Sequence, residues 1–255
     1  MMIASLGGTA SAANCPEVTV KNDHGISSVF PYQFELAELQ KNGNCTLSFS
    51  ENPAISKMNS RITGNPESLP KISDRLPVEP LVYAPYDRIG VYGGTLVGLS
   101  KGTESGTSDL LSIRHVNLVR YSDDLQTVVP NIAKSWKWND DFTELEINLR
   151  KGHRWSDGQP FTAEDIVFWY EDLILDKNIY EKTPERWLFS GKPMKVTAVD
   201  ETTVKFSFPV PTPGILNRFA VDFGQPFQPK HFLKKFHGKY NPDADTMAQA
   251  KGLKG

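Results

Sequence analysis

The chain has 255 residues, 39% of them hydrophobic and 23% charged, with 28 basic against 30 acidic side chains. That length can bury a substantial core as one large domain or two small ones, and the composition is that of an ordinary globular chain, not a disordered one. A net charge of −2 argues against a nucleic-acid binder, whose footprint is basic, and no apolar run reaches the roughly 18–20 residues that span a bilayer.

The first fourteen residues are small and uncharged, and Ala10-Ser11-Ala12 fits the small-x-small rule for a signal-peptidase site without a basic region before it. They are expected to be the remnant of a signal peptide or disordered. Residues 15–89 are rich in Pro, Asn, Ser and Gly, with prolines at 66, 70, 77, 80 and 85 that disfavour helix just before each. An irregular extension packed on the main body is expected there, with one or two helical turns around Phe34 to Leu39. The main body is expected over 90–255. Thr95-Leu96-Val97 reads as a buried strand. The glycine-bearing run that follows, from Ser100 to Thr107, matches neither the dinucleotide fingerprint nor the phosphate-loop spacing.

The most informative stretch runs from Pro130 to Leu175. Trp136 and Trp138 alternate with polar neighbours, as do Leu145, Ile147 and Leu149, and Asn139-Asp140-Asp141 between them supplies turn chemistry. Period-two alternation predicts two half-buried strands in a hairpin. A second turn falls at Ser156-Asp157-Gly158. Thr162 sits where an N-cap belongs and Asp165 three residues later completes a capping-box pattern. Behind it Ile166, Val167, Tyr170, Leu173 and Ile174 mark one apolar face of an amphipathic helix. Further on, residues 194–200 and 203–208 form a second hairpin turning at Asp200-Glu201-Thr202, with Val196, Val199, Val204, Phe206 and Phe208 on its buried side. A helix led by Ile215-Leu216 follows, then one with Pro229 in its first turn and Lys234, Lys235 and His237 near its negative end.

The ordered run Ile132-Ala133-Lys134-Ser135-Trp136, the acidic turn, Leu149-Arg150-Lys151-Gly152, Trp155-Ser156-Asp157-Gly158 and Pro160-Phe161-Thr162-Ala163-Glu164-Asp165-Ile166-Val167-Phe168 resembles the signature of family 5 extracellular solute-binding proteins, receptors of bacterial ABC importers. The resemblance implies an α/β fold: a lobe of the type II periplasmic-binding-protein kind with a mixed β-sheet subdomain. Members are roughly twice this length, so a second lobe is expected to be absent from this chain. The signature residues are structural and identify the scaffold more than the ligand.

The implied function is capture of a small solute, above all a peptide, in an interlobe cleft for delivery to an ABC permease in the membrane. The protein would be periplasmic or secreted, monomeric when complete and without a cofactor, and it would not bind nucleic acid. An oligosaccharide ligand on the same scaffold is the alternative, followed by a secreted enzyme or accessory domain, and more weakly an adhesion module. In the family, the loop after the first strand lines the cleft, which implies a ligand role for Lys101, Gly102, Thr103, Glu104 and Ser105 against the plainer reading of a surface loop. Tyr180 and Trp187 are implied at the cleft rim, with packing as their other role. In an extracellular setting the two cysteines, Cys15 and Cys45, are expected to form a disulfide, the alternative being two thiols.

Chemistry for catalysis does not assemble. His153, Ser156 and Asp157 share one turn, whereas a relay triad draws its members from separate segments. His231 and His237 are six apart without a flanking carboxylate or cysteine, so no metal site is expected from them. No reaction class emerges with named roles.

Overall fold

A computed structural model describes residues 13–22, 33–62, 68–95, 97–98, 116–221 and 226–252. The chain divides into two compact units, one over Met1–Thr95 and one over Leu96–Gly255.

The first unit has little regular structure. Strand β1 (Ala13–Asn14) pairs in parallel with β3 (Cys45–Thr46), and β2 (Gln33–Glu35) pairs antiparallel with β4 (Leu81–Tyr83). Between β2 and β3 lies a helix over Leu36–Gly43, ended by Asn44 in the left-handed conformation (φ 45°, ψ 49°), a position that asparagine tolerates better than most residues. The small core of this unit is Val18, Phe34, Leu39 and Ala84. A core that size gives little cohesion, and the disulfide between Cys15 and Cys45 supplements it.

The second unit is built on hairpins. Strands β5 (Val119–Tyr121) and β6 (Val128–Pro130) form a small one. Strands β7 (Ala133–Trp138) and β8 (Glu144–Leu149) form the tryptophan-bearing hairpin expected from the sequence. Past the helical region come a two-stranded ribbon, β9 (Leu188–Phe189) with β10 (Lys192–Pro193), and then the hairpin β11 (Lys195–Ala198) and β12 (Thr203–Ser207). The two long hairpins merge into one sheet of order β11-β12-β8-β7.

Alternation sets the faces of that sheet. Leu145 lies between Trp138 and Phe206 and Ile147 between Trp136 and Val204, on the face turned to the core. On the other face Glu146 lies between Lys137 and Lys205, so that row alternates in charge. Every pairing in this four-stranded sheet is antiparallel, whereas β1 and β3 in the first unit pair in parallel. Because β8 and β12 meet antiparallel after the intervening helix, no parallel crossover arises. Two expectations fail. Val199 is 56% exposed, because β11 ends at Ala198 opposite Val204. Val97 is 86% exposed and neither it nor Thr95 lies in a strand; Leu96 between them lies outside the described residues.

The helix after the signature turn starts as foreseen and then departs. Thr162 is extended (φ −134°, ψ 171°), the capping box forms, and Ala163–Val167 is α-helical. Phe168–Ile174 winds as a π-helix, with Leu175 N donating to Tyr170 O at 3.1 Å. Ile166, Tyr170 and Ile174 are buried on the expected side, but Phe168 and Asp172 are buried as well. Two faces of this segment are therefore covered, so one amphipathic stripe no longer describes it. The Tyr170 hydroxyl donates to Trp187 O at 3.0 Å and accepts from Met194 N at 3.1 Å, and burial pushes its pKa up to about 12. Glu171 reaches the outer edge of β11, where its carboxylate accepts Val196 N at 2.8 Å. No helix among the described residues is long and apolar enough to cross a membrane.

Two expected outcomes follow from this architecture. The disulfide closes a sequence separation of 30 residues, so reduction should destabilise the first unit by about 3–4 kcal/mol, read as a lower midpoint in thermal or urea unfolding under reducing conditions. Leu125 is 72% exposed and holds φ 61°, a conformation costing a side-chain-bearing residue about 1–2 kcal/mol. Leu125→Gly should raise stability by roughly 0.5–1 kcal/mol after glycine's larger unfolded-state entropy is subtracted, measured by urea denaturation.

Candidate functional site

The residues singled out for ligand contact are not gathered into one place among the described residues. Lys101, Gly102, Thr103, Glu104 and Ser105 lie outside the described residues. Tyr180 is 40% exposed on the connection after the π-helix, with its backbone N donating to Asp176 O at 2.8 Å. Trp187 is 1% exposed, edge-on to Trp169 at 5.0 Å and 6.4 Å from Phe219. It is a core residue, in keeping with the packing role considered beside the rim one, its burial secured by the Tyr170 bond to its own carbonyl. Trp187 follows a polar connection, and nothing in that local sequence distinguishes a covering aromatic from an exposed one.

What the structure does bring together is a row of acidic side chains along the signature turn and helix, each engaged by the segment 226–252. Asp165 is 4% exposed. Its Oδ2 accepts Thr162 N at 2.9 Å and the Trp155 indole N–H at 3.2 Å, and its Oδ1 accepts Lys230 N at 2.9 Å. Glu164 pairs with the Lys230 ammonium at 2.6 Å. Asp157 faces His231 Nε2 at 2.6 Å, and that bond holds the Asp157 carboxyl below its ordinary range.

Asp172, 5% exposed, accepts the Lys239 ammonium on one oxygen and the Tyr240 hydroxyl at 2.5 Å on the other. Its ion pair raises the Lys239 pKa, while burial followed by the same carboxylate raises that of Tyr240. His237, 7% exposed, accepts Lys239 N on Nδ1 at 3.1 Å. In the neutral ring the proton is then on Nε2, which donates to Asp172 O at 2.6 Å. His237 thus ends the 3-10 turn Lys234–Phe236 and is at the same time part of a buried network. These contacts span 65 to 74 residues, which is why the local sequence did not show them. One signal was present: a carboxylate at 172 inside the apolar run of a helix has to find partners if it is buried.

A concavity of about 410 Å³ lies between the signature turn (residues 151–154 and 160–162) and the hairpin turn 200–202. The two turns are tied by Leu149 N to Thr202 O at 2.7 Å and Ala163 N to Glu201 O at 2.9 Å. His153 lines it, and its Nε2 is buried without a hydrogen-bond partner among the described residues. Burial, with Arg150 nearby, lowers the His153 pKa, so the ring is neutral at physiological pH. Among the described residues no group of three His, Cys, Asp or Glu could hold a metal ion.

Residues 127–250 match the family model for the middle region of bacterial extracellular solute-binding proteins, family 5. Over those residues the chain is similar to that family. Among solved structures it is similar to the oligopeptide-binding protein OppA, with 34% identity and a TM-score of 0.67 over 82% of this chain and 31% of that one. It is also similar to the periplasmic binding protein MelB of Agrobacterium fabrum C58 in complex with stachyose, at 27% identity and a TM-score of 0.58 over 92% of this chain and 36% of that one. Among curated proteins it is 32% identical over 196 residues to the periplasmic alpha-galactoside-binding protein of Rhizobium meliloti, covering 68% of this chain and 28% of the relative. The periplasmic murein peptide-binding protein MppA of Escherichia coli matches at 31% over 36% of this chain and 20% of its own length. The chain therefore spans about a quarter of the relatives it matches. Its α/β body resembles that of the type II periplasmic binding proteins, and the signature hairpin and capped helix lie within the residues that match the family 5 model.

His153 gives a pH expectation. Its folded pKa lies below the unfolded value of about 6.5, so below that value the unfolded chain binds more protons and stability falls with pH. Wild-type protein should lose more stability than His153→Leu between about pH 7.5 and pH 5, measured as the difference in urea midpoints.

Proposed function

We propose that this protein is the substrate-binding component of an ABC importer, working in the periplasm or outside the cell and passing a captured peptide to a membrane permease. The observation that supports this most is the superposition on an oligopeptide-binding protein over 82% of the chain, together with the family match through the signature. In this reading the four-stranded sheet and its capped helix are scaffold. The loop bearing Lys101, Gly102, Thr103, Glu104 and Ser105, with Tyr180 on its exposed connection, forms solute-facing wall, and Trp187 supports it from within the core. Capture works by closure: a solute that touches two lobes favours the closed form by its differential affinity for it. The protein acts as a monomer and needs no cofactor. No catalytic role is assigned to any residue; the carboxylates described above are engaged in holding the segment 226–252.

A second ligand class, an oligosaccharide, is supported by one observation. The alignment to an alpha-galactoside-binding protein covers 68% of the chain, against 36% for the murein peptide-binding protein. Isothermal titration of the protein at its full natural length separates the two readings. Saturable heat with a mixed tri- to pentapeptide pool and none with stachyose is expected. Heat with stachyose alone would replace peptide by oligosaccharide, and silence with both would overturn solute capture.

A further inference from the structure

The concavity beside His153 has features that the scaffold role does not use. Its walls are fixed by the backbone bonds from Leu149 to Thr202 and from Ala163 to Glu201, and Phe161 N donates to His153 O at 2.9 Å on the other side. Buried polar atoms in proteins nearly always have a partner. Among the described residues the Nε2 of His153 has none; that atom is closed off, while the ring forms one wall of an open space large enough for a small solute. A neutral imidazole gives that wall no charge.

The charged groups around it divide into spent and unspent ones. Asp200 is spent on its own turn, accepting Thr202 N at 2.7 Å and the Thr203 hydroxyl at 2.9 Å. Arg154 donates to Gly158 O at 2.9 Å. Lys151, from the signature turn, and Glu201, from the hairpin turn, are both exposed and have no side-chain partner among the described residues. One cation and one carboxylate thus border the same space from its two sides, with Pro160 and Phe161 supplying apolar surface between them. A purely anionic solute would meet Glu201, and a purely cationic one would meet Lys151 and Arg154. A small molecule that carries both charges satisfies both walls.

We infer that this concavity is a second small-solute site, independent of the proposed interlobe capture, and that it takes a zwitterionic α-amino acid. The inference does not rest on the importer reading, because every residue it uses belongs to the signature turn and the hairpin turn.

The test is an amide ¹H–¹⁵N titration of the 255-residue chain with L-alanine, and in parallel with propionate and ethylamine, which each keep one of its two charges. L-Alanine should give saturable shifts concentrated on the amides of Gly152, Phe161 and Glu201, with propionate and ethylamine each several-fold weaker. Lys151→Gln and Glu201→Gln, both at exposed positions that should not disturb folding, should each weaken L-alanine several-fold. His153→Leu, which removes a buried unpaired atom that does not meet the solute, should keep or raise the melting temperature and leave L-alanine binding unchanged. Three results would overturn the inference: no saturable shifts at these amides, propionate or ethylamine binding as tightly as L-alanine, or L-alanine binding unchanged in the Lys151 and Glu201 variants. If His153→Leu proves unstable, the two surface variants still decide.

Discussion

One carboxylate holds the second unit in register with itself. Asp165 closes the helix cap through Thr162, fixes the signature turn through the Trp155 indole and anchors a segment sixty-five residues later through the backbone of Lys230. Each of these donors is a group that needs a partner once water is excluded. A charged acceptor forms stronger bonds than a neutral one, so a single buried side chain can meet all three. Because the three donors come from the turn, the cap and a distant segment, the geometry of each constrains the other two. The neighbouring pairs at Asp157 and Asp172 extend the same arrangement along the helix, so the segment 226–252 is held at several points instead of by its small apolar contacts alone.

The division between what could and could not be read beforehand follows the range of the interactions. The alternation of Leu145, Ile147 and Leu149 and the spacing of Thr162 to Asp165 are properties of neighbouring residues, and they appear in the structure as a strand face and a capping box. The pairing of β8 with β12 joins residues such as Ile147 and Val204, and no local pattern states whether such strands meet parallel or antiparallel. The π-winding from Phe168 to Ile174 is likewise a tertiary matter: the partners that bury Phe168 and Asp172 come from residues 237–240. Val199 shows the opposite error, an apolar residue placed just past the point where its strand stops.

The same logic governs function. The signature is dense in tryptophan, glycine and acid because hairpin, turn and cap each have strict local demands, so its resemblance to the family is readily seen. The solute-facing residues obey no such demand. In the proposed function a stretch such as Lys101 to Ser105 would answer to the solute, whose chemistry the scaffold does not encode. Trp187 illustrates the ambiguity, since an aromatic side chain serves equally well as rim or as core until its neighbours are known.

The edge of the sheet at β11 has a bearing on how the molecule behaves in company. An outermost strand normally offers outward-facing N–H groups to any extended chain that drifts past. At Val196 that offer is already taken by the carboxylate of Glu171. An approaching strand would have to displace a charged acceptor before it could begin to zip on, so at that point the sheet resists growth by templating, and copies of the protein can be crowded together with less tendency to fuse along that margin.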